Sequence, residues 1–135
     1  MALTVAGCSG MPQKEVILRD ATTLSNGAAV TISTAQATAM LLYEAHQVAY
    51  VETEAAKEGA TKAKIRAGLE QIREDWEPVK ELFKQAIDVH GVLTELIERG
   101  DDLITLAEQT KKLMELQAEI ADFISDKREE VSNLK

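Results

Sequence analysis

The sequence predicts an all-α protein, an elongated antiparallel three-helix bundle or coiled-coil hairpin, and three observations carry that prediction. The composition is rich in Ala, Leu, Glu, Gln and Lys, with two prolines and 4% aromatics, which favours helix over strand. Apolar residues recur at helical spacing through the middle and end of the chain. The breaks between these periodic stretches, near residues 59–61 and 99–101, are short, so neighbouring helices must run antiparallel.

The central stretch, residues 60–99, is the clearest. Ile65, Ile72, Val79, Ala86 and Leu93 recur every seven residues. Leu82, Val89 and Leu96 form a second row three residues on, and Leu69, Trp76, Phe83 and Ile97 widen the stripe. The phase survives Pro78, so this is either one kinked helix or two helices in line, with Asp75 as a new N-cap. Gly100 marks its end, and Arg99 in the last turn suits the helix dipole.

Asp101 or Asp102 then caps a last helix. Its seam is Leu103, Leu106, Thr110, Leu113, Gln117, Ile120, Ile124, Lys127, Val131 and Leu134, alternating steps of three and four. This is a heptad pattern with polar interruptions, which fix register at some cost in stability. Upstream, Ser33 and Gln36 fit a capping box opening a helix that runs to about Glu58, with Gly59 as its stop. Its apolar face is Ala-rich: Met40, Leu41, Leu42, Ala45, Val48, Ala49, Val51 and Ala55.

Residues 11–32 read differently. Val16, Ile17 and Leu18 precede a Thr/Ser/Asn/Gly cluster, and Asn26-Gly27 between β-prone residues is a hairpin-turn signal. An extended segment or small hairpin is expected there. The chain therefore divides into an N-terminal extended or tether segment, 1–32, and a helical bundle domain, 33–135. Wide apolar stripes on the second and third helices against a thin first one leave surface for a partner, so a protein partner or a homo-oligomer is expected.

Val5, Ala6, Gly7 and Cys8 resemble the bacterial lipobox, in which an aliphatic and two small residues precede the cysteine that receives diacylglycerol. Small residues meet the steric demand of signal processing, and the thiol is the nucleophile that lipidation needs. Only seven residues precede Cys8, none of them basic, so this reading places the true start upstream of Met1. The other reading is a small buried or flexible cysteine near the N-terminus. With lipid on Cys8 the protein would face the periplasm or the exterior, anchored at an envelope membrane; otherwise it would be a virion or cytoplasmic protein.

A net charge of −8 and a pI near 4.8 oppose nucleic-acid phosphates as partners. One cysteine excludes an intrachain disulfide and a four-cysteine metal site. His46 and His90 lack the Glu-x-x-His spacing of di-iron bundles and form no His-x-x-x-His pair, so they read as imidazoles at helix edges, and no metal or other cofactor is expected. Glu74, Asp75, Glu77 and Glu81 read as a solvated face. Lys57, Lys62, Lys64 and Arg66 form the one basic cluster, balanced by nearby glutamates. No phosphate loop or nucleophile elbow occurs, and an enzyme is not expected.

The stretch Ile72-Arg73-Glu74-Asp75-Trp76-Glu77-Pro78-Val79 resembles an Arg-x-x-Trp-x-Pro-Val element found in small helical proteins of bacteriophages and prophages. The resemblance covers roughly residues 60–100 and rests on Arg73, Trp76, Pro78 and Val79. It implies a phage-borne or mobile-element protein and carries over no catalytic residue.

The expected function is a non-enzymatic structural or protein-binding element, lipid-anchored through Cys8; the alternative is an untethered coiled-coil subunit of a virion or cytoplasmic assembly. Trp76, Phe83, Leu113, Ile120 and Ile124 are the candidate partner-binding residues, as apolar anchors on the seams of the last two helices. For Trp76, the competing reading is a packing plug beside Pro78.

Overall fold

The computed structural model describes residues 13–134 as three α-helices, α1 Gln13–Ala55, α2 Lys62–Arg99 and α3 Leu103–Leu134. Each helix packs against both of the others, completing a three-helix bundle. At about 1.5 Å per residue, helices of 43, 38 and 32 residues are roughly 64, 57 and 48 Å long. The chain turns back on itself twice, so α1 and α3 run parallel to each other and antiparallel to α2.

The turns are built as their residues dictate. Gly59 has φ of 83° and Gly100 of 65°, the left-handed region that glycine enters without steric cost. Thr61 caps α2, its hydroxyl accepting from the Lys64 N–H at 3.2 Å. Gly100 ends it, with its own N–H donating to Leu96 O at 2.9 Å. Asp102 caps α3, a carboxylate oxygen accepting from the Thr105 N–H at 3.1 Å. That bond, made by the charged form, holds the Asp102 carboxyl below its ordinary pKa.

The core is one continuous apolar cluster. From α2 it takes Ile72, Trp76, Val79, Phe83, Ala86, Val89, Leu93 and Leu96, and from α3 Leu106, Leu113, Leu116, Ile120 and Ile124. Pro78 lies within α2, which continues through it as one helix. The missing N–H leaves the Glu74 carbonyl without its intrahelical donor, on a solvent-exposed side of the helix.

The first helix corrects the sequence reading. Residues 13–32 are helical, not extended, and Asn26-Gly27 lies exposed in mid-helix. The bundle therefore includes a segment assigned above to the tether, and Ser33 and Gln36 are interior positions instead of a capping box. The physical reason is a heptad row of small residues. Ala21, Ser25, Ala28, Ile32, Ala39, His46 and Ala49 are buried, with Ala35 and Leu42 partly so, at alternating steps of four and three. Small side chains let α1 lie close to its neighbours, and tertiary burial overrides a local turn preference.

This seam turns the expected α1 face around. Met40, Leu41 and Val48, expected to pack inward, are 65%, 69% and 57% exposed. Residues 1–12, including Cys8 and the lipobox-like stretch, lie outside the described residues.

Candidate functional site at the Trp76 junction

Trp76 sits where the three helices meet, and its heptad position on α2 directs it inward. It is 3% exposed. Tyr43 of α1 and Phe123 of α3 each meet its ring edge to face, with centroids 5.5 Å away, the geometry that aromatic quadrupoles favour. Its indole N–H donates to His46 Nδ1 at 3.0 Å. A buried indole needs an acceptor, and α1 supplies one from a core position.

That single bond sets the state of His46. Indole N–H can only donate, so Nδ1 must be unprotonated and the neutral ring carries its hydrogen on Nε2. Nε2 faces Glu130 Oε2 of α3 at 3.6 Å. Burial depresses the His46 pKa, opposed chiefly by the Glu130 carboxylate. Glu130 also accepts from Lys127 Nζ at 3.2 Å. Lys127 occupies a seam position and is largely buried, with its ammonium 5.4 Å from the Phe123 ring and 5.8 Å from the Trp76 ring. A cation over two aromatic faces beside a carboxylate is compensated on several sides.

One face of this junction is open. A groove of about 450 Å³ runs between α1 and α2, lined by Gln36, Met40, Tyr43 and Gln47 on one side and Arg73, Trp76, Lys80 and Phe83 on the other. Its walls are mostly apolar and its rims polar. Arg73 pairs with Glu70, and Lys80 pairs with Glu77 at 3.2 Å.

Other polar ties clamp the rod along its length. His90 Nε2 lies 3.0 Å from the Ser25 carbonyl oxygen; a carbonyl only accepts, so Nε2 donates. At the opposite end, the Thr53 hydroxyl donates to Leu134 O at 3.2 Å, satisfying a carbonyl that the end of α3 leaves unpaired.

The structure places the sequence candidates unevenly. Trp76 and Phe83 come together in the groove wall. Leu113, Ile120 and Ile124 are buried in the bundle, so the seam expected to meet a partner is consumed by α1 and α2. His46 is not at a helix edge: it is 5% exposed in the core, tolerated there because Trp76 satisfies it. Tyr43 and Phe123 complete the junction and were not singled out; Met40 and Lys127, which also belong to it, were read only as positions on a helix face. Lys127 was visible as the charged member of the α3 seam; His46 was not, because the α1 seam that holds it is made largely of small residues. Among the described residues, no group of three His, Cys, Asp or Glu side chains converges to hold a metal ion, and no helix is long and apolar enough to cross a membrane.

No family model matches the chain, and neither a curated protein nor a solved structure does.

Proposed function

We propose that the chain is a non-enzymatic helical element that binds protein along α1 and the adjoining groove, held at a bacterial envelope membrane by lipid on Cys8. The observation that carries the binding reading is that α1 is apolar on two sides. Its small-residue seam faces the bundle, while Val30, Leu41 and Val48, 68%, 69% and 57% exposed, fall on one line along the opposite side at 100° per residue. The twenty-three residues between Asp20 and Glu44 carry no charge. On a chain of net charge −8 this is unusual surface. Apolar ridges of this kind mark sites where another protein excludes water.

The buried His46 and the half-buried His90 support a structural role in place of a catalytic one. His46 is committed to Trp76, and His90 to Ser25. The tether rests on Val5-Ala6-Gly7-Cys8 alone. It is tested by the intact mass of the product made from its native locus, upstream sequence included, together with membrane fractionation. Loss of everything before Cys8 with a lipid-sized gain in mass supports it. An unmodified soluble chain retaining Met1 overturns it.

In that event an untethered assembly subunit becomes the leading reading. A second apolar region favours it: Met114 of α3 is 57% exposed and lines a depression with Ile17 and Thr110 between α1 and α3. A subunit with contact surfaces on two sides can join more than one neighbour.

A further inference from the structure

We propose that His46 is a proton-operated latch on Trp76, which holds the floor of the α1–α2 groove in place when the imidazole is neutral and releases it when the imidazole is charged. Trp76 Nε1 and His46 Nδ1 lie 3.0 Å apart in a hydrogen bond. The indole can only donate, so the bond exists only while Nδ1 holds a lone pair. A proton taken from solvent forms an Nδ1–H bond and leaves the ring cationic. Two N–H groups then point at each other across hydrogen-bonding distance, and one must move.

The surrounding charges decide the direction. From α3, the ring faces Glu130 at 3.6 Å and the Lys127 ammonium; from α2, it faces Trp76 and the Asp75 carboxylate; Tyr43 lies one turn earlier on α1 itself. The imidazolium is drawn to Glu130, where it competes with Lys127 for the same carboxylate oxygen. Trp76 is left with a buried N–H that has lost its acceptor, a loss that drives the group toward water. The open side is the groove, which Trp76 already lines. Burial keeps His46 neutral at ordinary pH, so the latch is closed there and opens as the pH falls. That the opened groove changes partner binding rests on the docking role proposed above; the latch itself does not.

Trp76 is the only tryptophan, so its fluorescence reads the latch with no partner present. Between about pH 8 and pH 5 the full chain should show a reversible red shift and at least a doubling of the acrylamide quenching constant, with a midpoint below the usual imidazole value of about 6.5. Far-UV circular dichroism should stay constant across that range. His46→Gln, whose amide oxygen can accept from the indole at any pH, should show no transition, and His90→Gln should behave as the parent. The proposal is overturned if His46→Gln retains the transition, if the parent shows none, or if the change accompanies loss of helix. Should His46→Gln fail to fold, nuclear magnetic resonance of the parent decides. The Trp76 indole proton and the His46 ring nitrogens must titrate with one midpoint, and separate midpoints contradict the latch.

Discussion

The hydroxyl of Tyr50 occupies the space that a β-carbon on residue 68 would fill. Any side chain at Gly68 would overlap the end of the Tyr50 ring, whose hydroxyl donates to Lys64 O at 3.3 Å. A mid-helix Gly→Ala change ordinarily gains about 1 kcal/mol. Here Gly68→Ala must displace Tyr50, so no gain is expected. In a Tyr50→Ala background the same change should recover about 1 kcal/mol, because the obstruction is gone. Urea denaturation of the four chains measures this coupling, and additive effects would contradict the contact.

Trp76→Phe keeps an apolar ring but removes the N–H that His46 accepts. A buried acceptor left without its donor costs about 1–3 kcal/mol, whereas Trp76→Ala, which also empties the junction, should cost about 3–5 kcal/mol. A Trp76→Phe chain as stable as the parent, measured by chemical denaturation, would mean that the Trp76–His46 bond contributes nothing.

Stability should fall with acidification through the His46 titration. Its folded-state pKa lies below the ordinary value, so as pH falls the unfolded chain binds the proton first. The stabilisation is full above the unfolded pKa of about 6.5 and is lost as pH drops toward the folded pKa. His46→Gln should flatten that part of the profile. Asp102, also depressed by its bond to the Thr105 N–H, contributes above its unfolded value and loses that contribution as pH falls further. Asp102→Asn should remove this lower-pH component. Thermal melts from pH 8 to pH 3 separate the two.

Pro78→Ala restores a donor for the Glu74 carbonyl on an exposed side of α2. Since proline in a helix interior is about 3 kcal/mol less favourable than alanine, and the structure has already adjusted to it, a gain of about 1–3 kcal/mol is expected. A loss in melting temperature would show that the proline packs against something the bundle needs.

Much of α2 and α3 was legible because their seams are written in large aliphatic residues. Ile72, Val79, Leu93, Leu106 and Leu113 signal helical phase on any hydrophobicity scale. The α1 seam was hidden because its knobs are Ala21, Ser25, Ala28 and Ala39, which read as neither apolar nor patterned. The Asn26-Gly27 pair then offered a local turn signal. Its cost within a helix, about 1 kcal/mol for each poor helix former, is small beside a packed interface with two helices. Met40, Leu41 and Val48 carried the opposite error, since large apolar residues were assumed to face inward. At the junction, Trp76 was legible as a packing plug or contact residue. Its bond to His46 was not, because thirty residues of sequence separate them and only the helix register brings them together.

The central claim, that α1 presents a protein-binding face, is tested most directly by site-specific photocrosslinking in the native host. A photoreactive residue replaces Leu41 on that face in one chain and Arg128, an exposed position of α3, in another. The account predicts a discrete crosslinked product from position 41 and none from position 128. Failure of position 41 to crosslink, or an equal and diffuse pattern from both positions, would contradict it.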